Sequence, residues 1–195
     1  MSPHNDDEAL FGSYTIMRRK PLVAIVTDSW MQFERGQGIT TSQRRAETLE
    51  AMRLLGAPVE FLGIKDTELS AVNLAERLRD IHPSKVYAPQ PNSLNPQHNI
   101  VGDIAYRLWP DKVIFYSTYT RTSLTPEGEI EIAPKYEEIR LKNRALDCYQ
   151  SQISINNRQF LAVRGKSEFL NDPRKEKVSA ILIKWKINCP SSLSL

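Results

Sequence analysis

The chemistry-bearing residues are concentrated at the start of the chain, in SPHNDDEAL, where His4, Asp6, Asp7 and Glu8 crowd into one short turn ahead of an apolar stretch. From such a turn an imidazole nitrogen of His4 and a carboxylate oxygen of Asp7 can point at one cation. Both are good zinc ligands, at roughly 2.0–2.2 Å. Asp6, between them, can reach a water on that cation without ligating it. Two ligands make a weak site, so a third is needed, and only His82 and His98 remain as further histidines. His82 ends a helix and precedes Pro83 and a strand, which puts it at the wrong end of a parallel sheet. His98 lies in SLNPQHNIVGD, after that strand and at the start of a helix, on the same end as the Asp6–Asp7 turn. Two histidines and one aspartate leave a coordination position for water, the catalytic rather than the structural arrangement. The competing reading of HNDDE is a plain helix N-terminus, where Asp6, Asp7 and Glu8 favour the dipole. His98 alone would then be a surface or capping histidine.

These groups need elements to position them. Leu10, Tyr14 and Met17 are spaced i, i+4, i+7, which predicts an amphipathic helix over 8–19 that Pro21 stops. Leu22 to Thr27 is a continuous apolar run rich in β-branched residues, as in a strand covered on both faces. A helix follows, capped by Thr41 or Ser42 and stopped by Gly56. Strands at 59–62, 85–88 and 113–117 alternate with helices at 70–81 and 98–109, and a further helix is expected at 135–150. This alternation predicts an α/β fold, a Rossmann-like three-layer α/β/α arrangement with a mostly parallel sheet. Ligands in such sheets sit at the carboxyl ends of the strands. Only Met1 and Ser2 precede the His4 turn, so the first strand is apparently truncated. Val178 to Ile183 is a candidate to fill its place.

Bulk properties agree with an ordinary globular chain. Of 195 residues, 41% are hydrophobic and 25% charged, which excludes disordered, collagen-like and rod-like classes. No apolar run approaches the ~20 residues a membrane-spanning helix needs. The net charge of +3 is too small to imply a nucleic-acid partner, and the basic run around Arg174, Lys175 and Lys177 reads as a solvated tail. Cys148 and Cys189 match no metal spacing and no disulfide framework, so a reducing, cytoplasmic setting is expected. No secretory signal is visible. Residues 1–170 read as one domain and 171–195 as a C-terminal extension of unassigned role. Oligomeric state is not readable.

Several ordered motifs resemble the PIG-L/LmbE family of zinc-dependent N-deacetylases. That family opens with Pro-His-Pro-Asp-Asp-Glu, and this chain has Pro3, His4, Asn5, Asp6, Asp7 and Glu8. Val26, Thr27 and Asp28 match the end of the next family strand. Arg44, Glu47, Leu55 and Gly56 keep the register of Arg-x-x-Glu followed by Leu-Gly. Phe61, Leu62, Gly63 and Asp66 match Phe-Leu-Gly-x-x-Asp. Asn95, Pro96, Gln97 and His98 stand where the family has His-Pro-Asp-His. Lys142, Ala145, Leu146, Tyr149, Ser151 and Gln152 resemble a later family motif. The match runs from residue 3 to about 170.

The resemblance implies zinc, or another divalent metal, held by His4, Asp7 and His98. It makes Asp6 the general base and places Arg44 and Asp66 at sugar contacts. The implied activity is hydrolysis of an N-acyl group, acetyl first among candidates, from an amino sugar or N-acetylglucosaminyl conjugate. Asn95 replaces a histidine that stabilises charge or serves as acid; asparagine donates a hydrogen bond but shuttles no proton. Gln97 replaces an aspartate that could orient the neighbouring histidine. The alternative is therefore a catalytically impaired metal- or carbohydrate-binding homologue. A nucleotide-binding Rossmann module is disfavoured, because only Gly12 lies near the first turn. Trp30, Phe33 and Tyr119 follow strands and could stack on a sugar face, or simply pack the loops.

Overall fold

The computed structural model describes residues 1–29 and 36–175. The architecture is mixed α/β. Helix α1 (Asp7–Arg19) leads into strand β1 (Val23–Thr27), helix α2 (Thr41–Leu55) and strand β2 (Val59–Ile64). A 3-10 turn at Asp66–Glu68 precedes helix α3 (Ala71–Leu78), strand β3 (Val86–Pro89), helix α4 (Pro96–Leu108) and strand β4 (Val113–Tyr116). The chain continues through β5 (Ile130–Ile132), α5 (Tyr136–Leu146), α6 (Gln150–Val163) and β6 (Glu168–Asn171).

Local signals account for most boundaries. Gly56 ends α2 in the left-handed conformation, with φ 74°, as a helix-stopping glycine does. The cap of α2 is Thr40, one residue before the expected Thr41 or Ser42. Its side chain accepts from the Gln43 N–H at 3.1 Å. Ser70 caps α3 in the same way, accepting from Asn73 at 3.2 Å. The helix expected over 135–150 forms as α5 and ends at Leu146; α6, which follows it and was not expected, carries a non-helical residue at Asn156.

The expected single sheet is interrupted. β1 and β2 form one parallel pair, and β3, β4, β6 and β5 form a second sheet in that order. β3 and β4 are parallel, whereas β6 runs antiparallel to both β4 and β5. Met1 and Ser2 lie between the two sheets. Ser2 bridges Ile25 in parallel, and its N–H and C=O pair with Ala24 and Val26 of β1 at 2.8 Å. The Met1 amine donates to the Tyr87 carbonyl of β3 at 2.6 Å. Met1 and Ser2 thus link β1 to β3. Below them, between Leu22–Ala24 and Lys85–Tyr87, a cavity of about 480 Å³ remains. Val178–Ile183, the candidate filler, lies outside the described residues.

Alternation along the strands separates two cores. Val23 and Ile25 pack with Leu10, Phe11, Met52, Leu146 and Phe160 on the face covered by α1, α2, α5 and α6. Val26 packs with Leu74, Val86, Val101, Ile104 and Trp109 on the face covered by α3 and α4. Helices on both faces explain why β1 and β4 read as unbroken apolar runs. Lys142 and Glu168, each 1% exposed and 2.9 Å apart, tie β6 to the α1 side of the core. Glu168 also accepts from the Tyr14 N–H at 3.0 Å. No helix among the described residues is long and apolar enough to cross a membrane.

Candidate metal centre and active site

The turn at residues 3–7 is held from beneath by buried polar contacts. Asn5, fully buried, donates its N–H to Ser29 Oγ at 2.7 Å and its side-chain amide to Thr48 Oγ1 at 2.9 Å. A proline at this position could not make the first bond, so asparagine fits the turn with one bond more. The Asn5 carbonyl accepts from Arg44 Nη2 at 2.7 Å. Glu8, also buried, accepts from Ser2 Oγ at 2.8 Å and from the Tyr149 hydroxyl. These bonds fix the first turn of α1, and with it the directions of His4, Asp6 and Asp7.

α4 brings in the second half of the site. Asn95 caps this helix, its side-chain oxygen accepting from the Gln97 N–H at 2.9 Å. His98 then sits in the first turn, fully buried. Its Nε2 lies 3.1 Å from Asp7 Oδ2, and His4 Nδ1 lies 2.9 Å from the same oxygen. Ligand atoms of His4, Asp7 and His98 all fall within 4.8 Å of one another. His98 Nε2 makes no hydrogen bond of acceptable geometry despite its burial. A buried imidazole nitrogen aimed at a carboxylate and a second imidazole suits a divalent cation, whose preferred donors these are. The donor set therefore fits zinc or a similar metal.

The other predicted residues gather around this cluster. Asp6 projects on the partly open side, with its Oδ2 3.6 Å from Arg44 Nη2. Arg44 is 2% exposed and faces Asp6 and the Asn5 carbonyl. The alternative pairing with Glu47 is not made, because Glu47 accepts from the Ser151 N–H and hydroxyl at 2.9 and 2.6 Å. Asp66 opens the 3-10 turn. Its N–H donates to Asp28 Oδ1 at 3.1 Å, and its carbonyl accepts from Gln97 Nε2 at 2.9 Å. Gln97 grips His4, its Oε1 against His4 Nε2, rather than its sequence neighbour His98. His98 Nδ1 has Thr118 Oγ1 at 3.4 Å instead.

Thr118 and Tyr119 were not singled out by the sequence as partners of His98. The Tyr119 ring lies 5.4 Å from that of His98 and 5.9 Å from Phe11, which assigns it to packing against the site. The available signal was their place directly after β4, at the sheet end where ligands bind. Trp30 and Phe33 lie outside the described residues. Trp109 is buried in the core, and His82 is exposed near the opposite end of β3.

Electrostatics at the site follow from burial and crowding. Burial alone would lower the His4 pKa, but hydrogen bonding and charge from Asp7, with the Gln97 contact, lift it to about 9. Burial pushes Asp7 up, yet His98 and His4 outweigh it and hold its carboxyl well below the usual carboxylate range. Burial raises Asp6 to about 8; Asp7 and Glu8 add to the rise, against Arg44 and His4.

A family profile described as "PIG-L: GlcNAc-PI de-N-acetylase" matches residues 1–109, more than half of the chain. The chain belongs to the PIG-L family. Solved structures of the same fold include the conserved protein TT1542 from Thermus thermophilus. It is 22% identical, with a TM-score of 0.66 over 88% of this chain and 92% of that one. The N,N'-diacetylchitobiose deacetylase from Pyrococcus horikoshii is 21% identical, with a TM-score of 0.62 over 87% and 80%. GalB, the 4-carboxy-2-hydroxymuconate hydratase from Pseudomonas putida, is 16% identical, with a TM-score of 0.61 over 87% and 92%. At these identities the likeness is one of fold, and one fold evidently carries more than one reaction. Among curated proteins none matches the chain. The family match ends at Trp109, so it covers the whole His4–Asp7–His98 cluster but not Thr118 or Tyr119.

Proposed function

We propose that this PIG-L-family chain is a metal-dependent amide hydrolase that removes an N-acyl group, acetyl in the simplest case, from an amino sugar or N-acetylglucosaminyl conjugate. The observation that carries the reading is the convergence of His4, Asp7 and His98 within 4.8 Å, with His98 Nε2 buried and without a hydrogen bond. Zinc bound there would supply Lewis acidity and lower the pKa of a water toward ~7. Asp6 is the general base. It lies one residue from Asp7 on the partly open side of the cluster and takes the proton of the attacking water on its carboxylate. Arg44, at 3.6 Å, works against the burial that raises Asp6 to about 8, so the carboxylate form that accepts the proton gains population as pH rises toward 8. Arg44 and Asp66, both buried, remain the proposed contacts to the sugar.

Asn95 uses its side-chain oxygen to cap α4 and its amide also meets the Tyr119 side chain, so a remaining amide N–H is what it would donate toward the oxygen where negative charge develops. With no histidine at position 95, protonated Asp6 returns the proton to the leaving amine. The amide C–N bond breaks as the C–O bond to water forms, giving acetate and a free amine on the sugar.

A second reading is favoured by one observation. Asn95 has no titratable proton to give and its oxygen is already engaged, so the chain could hold metal with impaired turnover. Zinc content, together with acetate release from N-acetylglucosamine, N,N'-diacetylchitobiose and N-acetylglucosaminyl-phosphatidylinositol, separates the two. The hydrolase reading expects release by the wild-type chain. It expects a loss of ~10²–10⁴-fold in Asp6→Ala with zinc retained. Normal release by Asp6→Ala removes Asp6 from the mechanism. Zinc binding with no release from any of the three substrates supports the impaired homologue.

A further inference from the structure

We propose that Gln97 is a positioning residue of the metal centre: its side-chain oxygen keeps a proton on His4 Nε2 and so turns Nδ1 toward Asp7 and His98. This rests on the metal reading above. The direction of the Gln97 amide follows from its other contact. Its nitrogen donates to the Asp66 carbonyl at 2.9 Å, and a carbonyl only accepts, so the nitrogen end is fixed there. The oxygen end therefore faces His4 Nε2. Oxygen cannot donate, so Nε2 must be the N–H of the pair. Nδ1, 2.9 Å from Asp7 Oδ2, is then the nitrogen with a lone pair to give to a cation.

The same side chain links three pieces of backbone. It starts on the second residue of α4, reaches His4 in the first turn of the chain, and ends on the 3-10 turn after β2. The backbone of Gln97 does not need the side chain for its own helix, because Asn95 caps its N–H. The side chain is free for the His4 contact. An amide oxygen is a weaker acceptor than a carboxylate, so it raises the basicity of His4 less than an acidic residue would.

The experiment compares the full chain with Gln97→Ala and Gln97→Glu. Zinc affinity is measured by competition with a chromophoric chelator, and folding of each variant is checked by its unfolding curve. Proton-detected nitrogen-15 spectra of the zinc-loaded chains identify which His4 nitrogen keeps its hydrogen. Gln97→Ala is expected to weaken zinc by ~10–100-fold. Gln97→Glu keeps the acceptor for Nε2–H but loses the donor to Asp66. It is expected to bind zinc at least as tightly as wild type. The wild-type spectrum is expected to show Nε2–H. Unchanged affinity in Gln97→Ala, or a zinc-loaded His4 protonated on Nδ1, overturns the proposal. So does Gln97→Glu falling as far as Gln97→Ala, which would make the residue a tether for the Asp66 turn. A wild-type chain that takes up no zinc overturns the metal reading itself, before any variant is compared.

Discussion

At the carboxyl ends of β1 and β3, Asn5, Arg44, Asp7 and His98 are buried side chains held by named partners, within 2% of full burial. At the amino ends of the same two strands, Met1, Val23, Ala24, Val86 and Tyr87 border a cavity of about 480 Å³. The difference shows where the sequence spends its specificity. A polar group buried without partners costs ~1–3 kcal/mol, so a crowded polar end is kept only if nearly every group is satisfied. Asn5 Oδ1 and His98 Nε2 are exceptions among the described residues, and the second, 3.1 Å from Asp7 Oδ2, points where a cation would sit. The other end is lined mainly by apolar side chains, with the Met1 amine, Ser2 and Glu8 as its buried polar groups, and it leaves space.

His98→Ala tests the crowded end most severely. It removes one of three ligands, and zinc affinity is expected to fall by roughly 10³-fold or more, above the ~10–100-fold that an outer partner costs. Metal analysis of the purified variant beside wild type checks this. Unchanged metal content would mean that the burial at this end builds a core rather than a site.

How much of this was legible beforehand depended on how local the cause was. His4, Asp6 and Asp7 share one turn, and His98 follows from the rule that parallel strands gather their loops at one end. Both inferences use only order along the chain. Arg44 was harder to read. Its helix has little amphipathy, and partners far away in sequence, the Asn5 carbonyl and the Asp6 carboxylate among them, explain why a guanidinium is buried there. β5 has three residues, too few for a period, and exists because it pairs with β6 some forty positions later. The Lys142–Glu168 pair likewise joins residues that no local pattern connects.

Acidity offers a second contrast, because the shifted groups cluster at the crowded end. His4 binds metal only after losing its Nδ1 proton, and without metal that proton is held up to about pH 9. Zinc affinity should therefore rise with pH, by roughly 50-fold between pH 7 and 9. Stability of the metal-free chain runs the other way. The unfolded imidazole titrates at ~6.5, so the folded-state stabilisation of His4 is complete below that pH and is lost as pH climbs through 9. Asp6, raised to about 8, adds a fall in the same direction, since folding favours its protonated form. Thermal unfolding of metal-free protein should shift down across pH 6.5–9, by ~3 kcal/mol at most from His4. A flat profile would show that His4 is not held by Asp7 as its geometry indicates.

One substitution applied at both ends compares their packing directly. Gly102 in α4 lies under the loop after β3, where an added Cβ would come 2.3 Å from the Pro89 carbonyl oxygen and 3.3 Å from the Pro91 ring. Backbone cannot yield that distance, so Gly102→Ala should cost ~2–3 kcal/mol and lower zinc affinity as α4 shifts. Measured by denaturant midpoint, a cost below about 1 kcal/mol would mean that the site end is looser than it looks.

Gly12→Ala is the smallest and most telling change. Gly12 is in the interior of α1 and lines the cavity beside Met1 and Ser2. An added Cβ meets only Ile16 Cδ1 at 3.7 Å, ordinary contact. Alanine also lowers the backbone entropy of the unfolded chain and is the better helix former. Stabilisation of ~0.5–1 kcal/mol is therefore expected, opposite in sign to Gly102→Ala. Zinc affinity should not move, since Gly12 touches neither His4 nor Asp7. A destabilised Gly12→Ala would mean that the space between β1 and β3 is filled in solution, and that the two ends differ less than their geometry suggests.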